Sequence, residues 1–169
     1  MKRIVVLFGI TLVTLTGVIV TGQPEPKKKP ETAPTVSPHV IIAASDVKWE
    51  EAPPGVPPGS KMAVLDGDPA KEGSFTVRLK APAGYKVMPH THPIAERVTV
   101  ISGTLDVGMG EKFDTKAMHK MKAGDFAVLP AGMAHFVWSS GESIAQIQSE
   151  GPFQINYVNP ADDPRNAQK

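Results

Sequence analysis

Apolar positions along this chain come in short clusters broken by glycine and proline. "KMAVLDGD", "SFTVRLKAP", "ERVTVISG", "GTLDVGMG", "DFAVLPAG", "AHFVWSS", "SIAQIQSEG" and "FQINYVN" follow one another with brief turns between. They are rich in β-branched and aromatic residues, and several alternate apolar with polar positions, the period of a strand. Many short strands at this spacing predict an all-β sandwich or barrel. Val98, Val100, Phe126 and Val128 are predicted to fill or line it. "EKFDTKAMHKMKAG" breaks the rhythm and reads as a loop or a single helical turn. "WEEAPPGVPPGSK" reads as a proline-rich loop ahead of the barrel strands. No repeat of fixed period appears, and neither does a phosphate-binding glycine loop.

The first 38 residues do not share this pattern. Lys2 and Arg3 precede an uncharged apolar run from Ile4 to Val20. That is the layout of a secretory signal, and its length also allows an uncleaved membrane anchor. Under either reading of residues 1–22 the domain lies outside the cytoplasm, periplasmic or secreted. "QPEPKKKPETAPTVSP", residues 23–38, has almost no large apolar side chains and reads as a disordered linker. Residues 39–160 are the predicted folded domain and residues 161–169 a C-terminal tail.

Charge and cysteine content narrow the function classes. The formal net charge of +1 gives no electrostatic case for nucleic acid. With no cysteine, thiolate catalysis, disulfides and cysteine zinc sites are excluded.

Candidate chemistry concentrates in "MPHTHPIAERV", residues 88–98. Residues two apart in a strand share a face, so His90 and His92 point together toward one ion. Glu96 has matching parity, but a straight strand would carry it about 13 Å past His92. Pro93 is a natural strand end, so the chain bends there and Glu96 arrives on the next strand. Of the other histidines, His135 sits beyond a Pro/Gly turn in "GDFAVLPAGMAHFVWS", whereas His39 and His119 read as surface residues.

"GYKVMPHTHPIAERVTVISG" has the spacing G-x5-H-x-H-x3-E-x6-G, and "GDFAVLPAGMAHFVWS" has G-x5-P-x-G-x2-H. Together they resemble the two motifs of the cupin superfamily, in which Asn often stands where this chain has Ser139. The resemblance is closest to small, exported, single-domain bacterial cupins. It implies a jelly-roll barrel, a double-stranded β-helix, that holds a metal through His90, His92, Glu96 and His135. It also implies turn glycines at 84, 103, 124 and 132, and a possible homodimer.

Three imidazoles and one carboxylate suit a divalent Fe, Mn, Ni, Cu, Co or Zn ion, with positions left open for a ligand. The leading expectation is a metal-dependent oxidoreductase, dioxygenase-like, acting on a small organic molecule. Glu96 is then its candidate catalytic base. The alternative is a cell-envelope module that binds or senses a metal or small molecule without turnover. Met88, Val137, Gln146, Gln148 and Tyr157 are candidate pocket residues. Met88 is expected close to the ion, on the face of His90 and His92.

Overall fold

The computed structural model describes residues 39–167, so the readings of segments 1–22 and 23–38 lie outside the described residues. No helix among the described residues is long and apolar enough to cross a membrane. Eleven strands carry the fold among the described residues: β1 (Glu50–Glu51), β2 (Lys61–Asp66), β3 (Gly73–Ala81), β4 (Tyr85–Thr91), β5 (Glu96–Ser102), β6 (Thr104–Met109), β7 (Met118–Lys122), β8 (Phe126–Leu129), β9 (His135–Ser139), β10 (Ser143–Gly151) and β11 (Asn156–Tyr157). One sheet has the order β1-β2-β3-β10-β5-β8 and the other β11-β4-β9-β6-β7. Every pairing is antiparallel.

Alternation decides which side chains go inside. Phe75 and Val77 of β3 and Val98 and Val100 of β5 are buried, while Arg97, next to Val98 in sequence, is exposed. The main core cluster joins Val98, Val100 and Leu129 of the larger sheet to Leu105, Val107 and Met121 of the smaller. The two sheets thus close on one shared core, the arrangement of a jelly roll. Each such buried side chain contributes roughly 1.5–3 kcal/mol.

Tight reversals join the strands. Gly84, Gly103, Gly124 and Gly132 all have positive φ. At Gly103, between β5 and β6, a Cβ would also collide with the carbonyl oxygen of Glu142. Any other residue there would have to push the β9–β10 turn away.

Three expectations need correction. Phe126 and Val128 do not line the barrel: they are 57% and 49% exposed. Phe126 opposes Thr99 and Val128 opposes Arg97, which places both on the outer face, while Leu129 opposes Glu96 and goes inside. The unbroken apolar run "FAVL" carries no alternation from which the inward parity can be read. The segment taken as a loop or helical turn forms a 3-10 turn at Thr115–Ala117 and then strand β7. "FQINYVN", taken as a strand, is extended ladder only at Asn156–Tyr157.

Candidate metal centre

Strand β4 delivers two histidines to the interior by way of an irregularity. Its pairing with β9 shifts register between Val87 and His90. Tyr85 and Val87 are buried, then Pro89 and His90 are buried in succession. The shift turns His90 inward and leaves His92, just past the strand end, buried as well. Met88, expected on the histidine face, is instead half-buried and absent from the cavity wall. A bulge changes side-chain parity, which a sequence read as a straight strand cannot show.

His90 lies directly opposite His135 of β9, and their ring centroids are 4.2 Å apart. His92 completes the group, 4.9 Å from His90 and 5.1 Å from His135. One nitrogen from each ring can be chosen so that all three lie within 4.8 Å of one another. Two bends after His92 let Glu96 open β5 in the other sheet. Its Oε2 is 3.3 Å from His92 Nε2 and 3.4 Å from His135 Nε2. All four side chains are at most 6% exposed. His39 and His119 are exposed.

Backbone carbonyls set the imidazole tautomers. His90 Nδ1 bonds the Met88 carbonyl at 2.7 Å, His135 Nδ1 the Met133 carbonyl at 3.1 Å, and His92 Nδ1 the Gln154 carbonyl at 2.7 Å. A carbonyl only accepts, so each Nδ1 carries a proton, and a ring in its neutral form then presents a bare Nε2. The Nε2 atoms of His92 and His135 are buried and have no hydrogen-bond partner. Two lone pairs therefore converge on a carboxylate oxygen, an arrangement that a cation satisfies.

Burial and neighbouring side chains shift two members of the group. Burial, then the neighbouring His135 and His92 rings, push the His90 imidazole down to about 3, so it is neutral at neutral pH. Burial by itself would raise the Glu96 carboxyl, but the His135 and His92 rings beside it outweigh burial and lower it to about 2. Three imidazoles in their neutral form together with one carboxylate make a donor set that suits a divalent transition ion.

The centre opens onto a cavity of about 520 Å3 between the sheets, lined in part by His90, His92 and Glu96. Val137 lines it too. Gln146 and Gln148 do not: Gln146 accepts from Arg78 Nε at 3.2 Å on the outer face, and Gln148 is exposed. Tyr157 stays outside the wall, half-buried, with its hydroxyl donating to the Gly55 carbonyl and its ring 5.8 Å from His90. Strand β10 turns Ser143, Ala145 and Ile147 to the cavity, the opposite parity from the glutamines.

The sequence reading overlooked three contributors. Phe153 stacks on His92, centroids 4.4 Å apart and planes 21° from parallel, and it lines the cavity. Gln154 holds His92 through its carbonyl. Ser149 donates to the Ala95 carbonyl at 2.9 Å and so fixes the residue before Glu96. Backbone acceptors leave no trace in residue type, but the aromatic Phe153 after a Gly-Pro pair was a readable signal.

Comparison with known proteins agrees with this architecture. A 70-residue stretch is 41% identical to a germin-like protein 5-1 of Oryza sativa subsp. japonica, covering 41% of this chain and 31% of that protein. The chain thus matches about a third of the length of such relatives. An acetylacetone dioxygenase from Acinetobacter johnsonii superposes with a TM-score of 0.58 at 19% identity, covering 80% of this chain and 85% of that one. An RmlC-like cupin from Shewanella frigidimarina does so with a TM-score of 0.53 at 17% identity, covering 68% and 91%. At these identities the likeness concerns the fold, and the fold is that of a cupin. Residues 16–156 match the family described as a domain of unknown function, DUF4437, and the chain belongs to that family as a small cupin.

Proposed function

We propose that the protein holds one divalent transition metal through His90, His92, Glu96 and His135 and acts as a metal-dependent oxidoreductase of the dioxygenase type. Its substrate is a small organic molecule that enters the cavity between the sheets. One observation carries the metal reading. The buried, unpartnered Nε2 atoms of His92 and His135 face the Glu96 carboxylate, each with its proton already committed elsewhere. The acetylacetone dioxygenase with the same fold supports the choice of chemistry. The metal, once bound, supplies Lewis acidity and a place for substrate and O2 to meet. The chain's own part is to orient the donors, exclude water with an apolar wall, and offer Glu96 as the proton acceptor inside the cavity.

A second reading is a binding or sensing module without turnover. It is favoured by the scarcity of other acid–base groups: the Ser143 hydroxyl lining the cavity is already engaged with Ser139 at 2.7 Å. We further propose that the N-terminal segment carries the domain out of the cytoplasm, on the support of Lys2, Arg3 and the apolar run after them. A homodimer is proposed on the cupin resemblance alone.

The deciding experiment is metal analysis of the full chain purified from its native compartment, followed by O2 uptake with a panel of phenols and diketones. We expect about one equivalent of metal, and O2 consumption with at least one compound that stops on chelation. Metal without turnover on any compound or with any divalent ion leaves the binding module. Absence of stoichiometric metal, in protein that also fails to take up zinc, sinks the metal centre and the oxidoreductase with it.

A further inference from the structure

The ionisable side chains that line the cavity form two groups. Its inner end holds His90, His92 and Glu96. At its rim lie Asp68 and Arg165, both solvent-exposed in part and both already in ion pairs, Asp68 with Lys71 at 2.8 Å and Arg165 with Asp163 at 2.8 Å. Between the two ends the wall is aliphatic and aromatic, built from side chains such as Phe75, Val77 and Leu79 of one sheet and Val107 and Val137 of the other. The one hydroxyl in that wall, Ser143, is part of a closed chain: Ser139 donates to the Gly141 carbonyl, so Ser143 donates to Ser139.

We infer that the cavity selects an apolar small molecule with a single oxygen-bearing head, the head at the histidine–glutamate end and the hydrocarbon body along the wall. This rests on the metal reading for the head and on the wall alone for the body. A polyhydroxylated molecule would have to strip water from its hydroxyls and find no partners along the wall, a large penalty. A hydrocarbon body gains from every methylene it buries. About 520 Å3 falls within the range of small-molecule sites and accommodates more than a two-carbon fragment. Sugars and their acids are thereby excluded as substrates, and short-chain or aryl carbonyl, enol and carboxylic compounds are included.

Calorimetry on the full chain loaded with zinc tests this, with acetohydroxamic, butyrohydroxamic, hexanohydroxamic and octanohydroxamic acids as probes and gluconohydroxamic acid as the polyhydroxylated counterpart. Affinity is expected to rise about fourfold per methylene until the chain reaches the rim, with gluconohydroxamate no tighter than acetohydroxamate. Val64→Asp, at a half-exposed wall position, is expected to remove the gain for the longest member, so that octanohydroxamate binds no tighter than hexanohydroxamate. A flat series, or gluconohydroxamate matching hexanohydroxamate, overturns the inference even when zinc binds. The same series on zinc-free protein separates the two ideas: a rise with chain length where zinc itself fails to bind keeps the apolar body and discards the metal.

Discussion

The histidines of the centre are supported in two different ways. His90 and His135 each bond a carbonyl two residues back, Met88 and Met133. His92 bonds the Gln154 carbonyl, 62 residues away in sequence, and stacks on Phe153. Phe153 is fixed in turn by its own backbone N–H on the Pro69 carbonyl at 2.7 Å and by an edge contact with Phe75, centroids 5.2 Å apart. Two ligands are therefore oriented by their own strands, and the third by the segment after β10. Local support survives rearrangement elsewhere in the barrel, whereas remote support ties the centre to the docking of that segment. It also ties ligand geometry to the cavity wall, because Phe153 belongs to both.

The largest effect should come from deleting a ligand. His92→Ala and His135→Ala should each weaken zinc binding by more than about 100-fold, since even loss of an outer partner of a metal ligand costs roughly 10–100-fold. Competition against a chelating dye measures this. Equal losses would show that the two modes of support end in equivalent ligands. A His92→Ala protein with undiminished affinity would remove His92 from the site altogether.

Acid comes next and acts through His90 and Glu96. His90 is lowered from 6.5 to about 3 in the fold, so between those values the unfolded chain binds a proton that the native state refuses. Glu96 is lowered from 4.5 to about 2, which acts in the same direction below pH 4.5. Stability of the metal-free protein is thus full above about pH 6.5 and falls, by a few kcal/mol in all, as pH drops toward 3. Thermal midpoints across that range should show the decline. His90→Gln should flatten the part between 6.5 and 4.5, and an unchanged profile in that variant would assign the acid sensitivity to other groups.

What was legible in the sequence follows the same division. The strands with clear alternation, β3 and β5, were readable, and so were the turn glycines. The histidines, Glu96 and the bend at Pro93 stood out because residue type and spacing suffice for them, and the structure brings these side chains together. Met88, Gln146 and Gln148 were placed by counting along straight strands. The β4 irregularity defeats such counting at Met88. For the glutamines nothing in an apolar-polar string says which face of β10 meets the cavity. Phe126 and Val128 failed for the same reason in an unbroken apolar run. Carbonyl acceptors such as that of Gln154 are invisible to any reading by residue type, since every residue carries one.

The smallest effect should separate the two modes of support most cleanly. Met133 and Gln154 contribute main-chain oxygens, so Met133→Ala, at a 44% exposed position, keeps the carbonyl that holds His135. Its zinc affinity should stay within about twofold of the parent. Phe153 contributes a side chain, and no main-chain atom replaces its ring. Phe153→Leu keeps an apolar group of similar reach but loses the flat face against His92, and should weaken zinc binding about tenfold, the lower end expected for an outer partner. Phe153→Tyr keeps the face and should restore most of the affinity, which a purely volumetric role for the residue would not predict. The cobalt(II) absorption spectrum gives an independent readout, because a tilted His92 ring changes the ligand field even where affinity is partly recovered. Should Met133→Ala and Phe153→Leu weaken binding equally, the support of His92 would be no more side-chain dependent than that of His135, and the contrast between local and remote support would lose its basis.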